Sequence, residues 1–180
     1  MFLNIITPCS RPQNLKKISE SINIPRENYR WIVVFDFNVI PNNEYIPNNC
    51  EYYLHQNPQS TVGHAQRNFA LDLINDGHIY FNDDDTVIYP DLWTNIKDLT
   101  NDFISFEQLS KDGTLRLKSN IIKEGHIDSH NFIVTKELVN DTKFIITHYG
   151  ADGRFAEACF LKCKNPIHIP KPLSIYNQLR

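Results

Sequence analysis

His78-Ile79-Tyr80-Phe81-Asn82-Asp83-Asp84-Asp85 is the stretch that decides how this chain is read. Ile79 to Phe81 has the length and apolar character of a buried strand, and it runs directly into three consecutive carboxylates. Adjacent carboxylates at a strand end repel one another, and a bound cation or proton uptake relieves the repulsion. Hard divalent ions such as Mg²⁺ and Mn²⁺ prefer oxygen ligands and commonly bridge carboxylates to a substrate's phosphates. A solvated acidic turn is the plainer reading of the same residues. The strand feeding into them, with Tyr89-Pro90-Asp91-Leu92-Trp93 opening a helix just after, favours a site.

Upstream, strand-like and helix-like segments alternate. Phe2 to Thr7 is a short apolar strand, and Arg11-Pro12 opens a helix with Leu15, Ile18 and Ile22 at helical spacing. Trp31 to Phe35 is a continuous apolar run ending at Asp36, the pattern of a strand buried on both faces of a parallel sheet. Residues 41 to 49 are rich in Pro and Asn and read as a loop, and Cys50 to His55 is the next strand. Val62, Ala65, Phe69 and Leu73 mark one face of a helix that stops at Asp76-Gly77. This alternation predicts an α/β fold, a doubly wound and mostly parallel central sheet flanked by helices. Ligands of such sheets bind beyond the carboxyl ends of the strands. Asp36, the three aspartates and the loop Thr7-Pro8-Cys9-Ser10-Arg11 all fall at such ends and are expected to converge on one crevice.

The second half is less regular. Asp102 to Gln108 and Thr114 to Lys118 read as strands joined at Lys111-Asp112-Gly113, with further strands at Asn131 to Thr135 and Lys143 to Thr147. A helix from Asp152 to about Lys162 follows, then strands at Ile167 to Ile169 and Leu173 to Tyr176. With 180 residues and no break in composition, one domain spanning 1–180 is expected, with a regularly alternating half (1–98) and a less regular half (99–180).

A net charge of −3 supplies no basic field for nucleic acid, so none is expected as a partner. The opening residues read as a strand and not as a signal peptide, and no run is long enough to span a membrane. The expectation is a soluble, cytoplasmic protein. Cys159 and Cys163 lie four apart near His168, either as part of a metal site or as free thiols in a reduced compartment. Glycine-rich phosphate loops of the GxGxxG and GxxxxGK[ST] kinds are absent, so dinucleotide oxidoreduction and P-loop chemistry are not supported.

Four blocks in order carry a resemblance. Ile5-Ile6-Thr7-Pro8-Cys9-Ser10-Arg11-Pro12 resembles the first strand and loop of nucleotide-sugar glycosyltransferases of the GT-A fold, and Trp31 to Asp36 resembles their second strand. Gly63 to Leu71 is similar to their helix bearing R-N-x-A-L, and Ile79 to Asp85 to the strand carrying the DxD signature. The order and spacing are similar to the inverting β-1,3-glucuronyltransferases and the family-2 transferases, over roughly residues 3 to 98.

The resemblance implies a metal-dependent inverting transferase that uses a nucleotide sugar, a UDP-sugar in the first instance, with Mn²⁺ or Mg²⁺ and a glycan or other hydroxyl acceptor. Carried over by position, Asp85 ligates the metal with Asp83 beside it, and Asp84 reaches the ribose or orients its neighbours. Thr7, Pro8, Ser10 and Arg11 form the donor loop, Asp36 accepts from uracil, Arg67 holds the nucleotide, and His168 stands where a late histidine meets metal or diphosphate. An inverting reaction also needs a carboxylate to take the acceptor's proton. Asp152, at the expected helix start, and Glu157, about 140° further round the helix, are the two candidates. Two other readings remain open: a sugar-1-phosphate nucleotidyltransferase, and a transferase fold that binds nucleotide or glycan without turnover.

Overall fold

Residues 1–39, 41–55 and 62–180 are described by the computed structural model. Among them, strands β1 (Leu3–Cys9), β2 (Tyr29–Phe35), β3 (Glu51–Leu54), β4 (His78–Phe81), β5 (Phe103–Leu109), β6 (Leu115–Leu117), β7 (Phe132–Thr135) and β8 (Pro166–Ile175) form one sheet. The order is β3-β2-β1-β4-β7-β5-β6, with β8 paired to β5. β1, β2, β3 and β4 are mutually parallel, and β8 is parallel to β5. β7 is antiparallel to both β4 and β5, and β6 is antiparallel to β5. The sheet is therefore mostly parallel, as the alternating pattern predicts.

Alternation along the strands builds the three layers. Ile6, Ile32, Val34, Ile79 and Phe81 face one side, where they meet Ala70 and Leu71 of α2 (His64–Asp72) and Phe155, Ala156 and Cys159 of α5 (Ala151–Phe160). Leu3, Ile5, Trp31, Val33, Phe35 and Tyr80 face the other, against Leu15 and Ile18 of α1 (Leu15–Ser21) and Leu92 and Ile96 of α3 (Leu92–Ile96). A fourth, single-turn helix, α4 (Lys136–Val139), follows β7.

Three expectations are corrected. Lys143 to Thr147 is not a strand. The Asn68 side chain accepts from the Phe144 amide (2.8 Å) and donates to the Phe144 carbonyl (2.9 Å), standing in for the neighbouring strand that a ladder would need. Ile167–Ile169 and Leu173–Tyr176 merge into β8, whose register against β5 slips between Phe106 and Gln108, opposite Ile169 to Ser174. Pro170 and Pro172 fall in that irregular stretch, the place a strand tolerates residues without an amide donor. The last helix begins at Ala151 with Gly150 as its cap, so Asp152 is its second residue and not the cap.

Candidate active site

The carboxyl ends of β1, β2 and β4 open into a cleft lined by Pro8, Ser10, Arg11, Asp36, Gly63, Gln66 and the three aspartates. Gly63 has a φ of +81°, and a Cβ there would stand 2.6 Å from the Pro8 side chain, so only glycine lets α2 start this close to the β1 loop. The expected convergence of strand ends on one crevice is thus present in the geometry.

The three aspartates point to three different partners. Asp84 turns back into the protein: Oδ2 accepts from the amides of Ser10 (2.6 Å) and Arg11 (2.7 Å) and from the Ser10 hydroxyl (3.0 Å), and Oδ1 pairs with the Arg11 guanidinium. Of the two roles expected for it, orienting its neighbours matches these contacts. Burial pushes the Asp84 carboxyl up, against the opposing pull of the Ser10 amide and Arg11.

Asp83 pairs with the guanidinium of Arg67, and its Oδ2 lies 3.1 Å from Nε2 of His130 without an aligned hydrogen bond. Burial works to raise the pKa of its carboxyl, but Arg67 and His130 together outweigh it and hold it well below the usual carboxylate range. Asp85 Oδ2 meets Arg180 Nε at 2.6 Å and Arg11 Nη1 at 3.3 Å. Ligand atoms of Asp83, Asp85 and His130 all lie within 4.8 Å of one another. Two carboxylates and an imidazole that has given up its proton form a donor set suited to Mn²⁺ or Mg²⁺; without a cation the buried His130 ring faces Asp83 at 3.1 Å and Asp128 at 3.7 Å. Burial lowers the His130 imidazole, but Asp83 and Asp128 outweigh it and leave its pKa at about 9.

His130 reaches this place because β7 runs against β4, with Tyr80 opposite Ile133. The turn before β7 therefore lies at the same sheet edge as the residues after β4. That turn is a capping box, in which the Asp128 side chain accepts from Ser129 N and Asn131 Oδ1 accepts from Asp128 N.

A second cleft, lined by Arg67, Arg116, Glu124, Asp128, His130, Tyr149, Asp152 and Tyr176, joins the first at Val62, Asp83 and Arg180. Asp152 lies 3.9 Å from Arg67 Nη1 and 3.7 Å from His64 Nδ1, and its Oδ1 has no aligned hydrogen bond. Burial, with Asp128 and Asp83 adding to it and Arg67 opposing, moves its carboxyl up to about 6. His64 is fully buried beneath it, accepts no proton readily because burial and Arg67 hold its pKa at about 4, and stacks on Phe144. α5 is seated by close packing, since a Cβ on Gly153 would stand 2.4 Å from the Glu124 backbone.

Three expected placements change, those of Thr7, Arg67 and His168. Thr7 is fully buried with its hydroxyl accepting from the Trp31 indole (3.0 Å), so it has no surface for a nucleotide. Arg67 is 1% exposed and faces the second cleft, where it holds Asp83 and the Val62 carbonyl. His168 sits near the start of β8, bonded to Ser105, at the opposite end of the strand from the aspartates; the imidazole beside Asp83 is that of His130. Glu157 lines neither cleft. Cys159 is buried in the core and Cys163 donates to Asp102, both as free thiols.

No protein-family model matches the sequence, and no curated protein matches it. Solved structures do. TarS 1-349 of S. aureus, in complex with UDP-GlcNAc, superposes with a TM-score of 0.77 at 16% identity, over 97% of this chain and 58% of that one. The chain has the GT-A fold. The mannosyltransferase PcManGT of Pyrobaculum calidifontis, in complex with GDP-Man and Mn²⁺, superposes with a TM-score of 0.70 at 13% identity, over 97% of this GT-A chain and 56% of that one. The chain thus spans just under three fifths of the length of either. None of its described helices is long and apolar enough to cross a membrane.

Proposed function

We propose that this GT-A chain is a metal-dependent, inverting glycosyltransferase that moves a sugar from a nucleoside diphosphate, UDP first, to a hydroxyl of a glycan or similar acceptor. The observation that carries the reading is the meeting of two clefts at Asp83, with a cation-type donor set at the junction and the carboxylate of Asp152 in the second cleft.

Asp83, Asp85 and His130 would hold the divalent cation, and a cation there supplies positive charge against the departing diphosphate. The chain's own residues do the rest. Pro8, Ser10, Arg11 and Asp36 wall the nucleotide side, and Asp36, already accepting from Gln66 Nε2 at 3.0 Å, is placed to accept from a uracil ring N–H. Arg67 fixes Asp83 through its buried guanidinium. Asp152 accepts the acceptor's proton; a carboxyl with a pKa of about 6 is ionised at neutral pH yet more basic than an exposed one.

Transfer from a panel of nucleotide sugars with Mn²⁺, measured for wild type, Asp152→Asn and Glu157→Gln, tests the assignment. Asp152→Asn is expected to lose about 10²-fold or more in rate with UDP binding retained, and Glu157→Gln to behave as wild type. Inactivity confined to Glu157→Gln would transfer the role to that residue.

A further inference from the structure

Beyond β8, Asn177 adopts a left-handed conformation (φ +51°) and turns the chain back across the candidate metal site. Leu179 N donates to the Asp85 carbonyl at 2.7 Å, and Arg180 N donates to the Asn177 carbonyl at 3.2 Å. This short turn carries the Arg180 side chain onto Asp85 Oδ2 at 2.6 Å. Asp85 is nearly buried, with 2% of its side chain exposed, whereas the Arg180 side chain is 54% exposed. The guanidinium therefore lies on a ligand atom of the metal set, from the solvent side, and can leave it without opening the core. It also lines both clefts at their junction.

We propose that Arg180 is an exchangeable cation of the site: it neutralises Asp85 while the metal is absent, and moves to the donor's diphosphate once metal and nucleotide are present. The diphosphate half rests on the transferase reading above; the competition half rests on the metal set alone. Two facts support exchange over a fixed ion pair. The other guanidinium near Asp85, that of Arg11, is already committed to Asp84 and lies farther off, at 3.3 Å, so Arg180 is the partner with freedom to leave. The backbone tether at Leu179 holds the turn next to Asp85 after the side chain swings, keeping the guanidinium within reach of a phosphate bound between the clefts. A site whose competent form is only partly populated binds its ligand more weakly by that fraction. An arginine engages phosphate oxygens through two parallel charge-assisted hydrogen bonds.

Two affinities are then expected to move in opposite directions in Arg180→Gln. Titration calorimetry with Mn²⁺ alone should give binding roughly three- to fivefold tighter than wild type, the scale of a half-exposed ion pair removed from competition. Titration with UDP at saturating Mn²⁺ should give binding about tenfold weaker, from loss of a charge-assisted contact. Arg180→Lys, which keeps the charge but not the fork, should fall between wild type and the Gln variant on both. Mn²⁺ binding that is unchanged or weaker in Arg180→Gln overturns the exchange, since a purely structural role would weaken both. Failure of the metal-site reading has its own signature: Asp85→Asn would then bind Mn²⁺ as well as wild type does.

Discussion

Replacing Asp84 with alanine should cost the protein more stability than replacing Asp85, although the two are adjacent and both buried. Four donor groups of Ser10 and Arg11 end on Asp84. The Ser10 hydroxyl and the Arg11 guanidinium can turn to water, because Ser10 is exposed and a third of the Arg11 side chain is. The two backbone amides cannot turn. Each orphaned donor costs about 1–3 kcal/mol, and water entering the vacated space lowers the total, so a loss of about 3 kcal/mol is expected. For a chain of this length that is a fall of roughly 6–12 °C in Tm. Asp84→Asn keeps an acceptor oxygen and loses a charge that burial already disfavours, so it should lose only about 1 kcal/mol. Asp85→Ala releases Arg180 into solvent and leaves Arg11 on Asp84, and it should stay within about 1 kcal/mol of wild type. Urea unfolding of the three variants with no metal present decides it. Equal destabilisation by the Asp84 and Asp85 alanines, or an Asp84→Asn as damaging as Asp84→Ala, refutes the division of labour.

Other expectations concern the second cleft and the nucleotide. The rate of transfer should rise with pH and level off above about 6, because Asp152 must lose its proton to act and burial delays that loss; Asp152→Asn should remove this limb from the pH–rate profile. Gly153→Ala would press a Cβ against the Glu124 backbone and should cost about 1–3 kcal/mol in unfolding experiments, with activity falling alongside through the displaced Asp152. UDP should bind more tightly than CDP by roughly 1–3 kcal/mol, since cytosine leaves Asp36 without a ring donor; equal affinities in competition titrations would remove the Asp36 role.

β2 and β4 were readable because they are near-continuous apolar runs buried on both faces, and each stops at a polar residue of the crevice, as Phe35 does at Asp36 and Phe81 at Asn82 and Asp83. Those boundaries fix where the first cleft lies. The division among the three aspartates was not readable, since identical side chains in sequence differ only in what the fold sets opposite them. His130 escaped for a topological reason: it lies 47 positions after Asp83 and reaches it only because β7 is antiparallel to β4, a pairing that short strands do not announce. The Asp128-Ser129-His130-Asn131 capping box was the available signal, a rigid turn presenting a histidine just before a strand. Arg180 likewise depends on the left-handed turn at Asn177. The resemblance to GT-A transferases implied a nucleotide contact for Arg67, but its burial commits it to Asp83 and the neighbourhood of Asp152.

The most direct test of the transferase reading is turnover of nucleotide sugars by the purified chain, with Mn²⁺ and after its removal by EDTA. The account predicts cleavage of a UDP-sugar that requires the cation, disappears in Asp85→Asn and falls sharply in Asp152→Asn while UDP still binds. Cleavage that persists undiminished in EDTA, or a chain that neither binds nor turns over any nucleotide sugar with Mn²⁺ present, would contradict it.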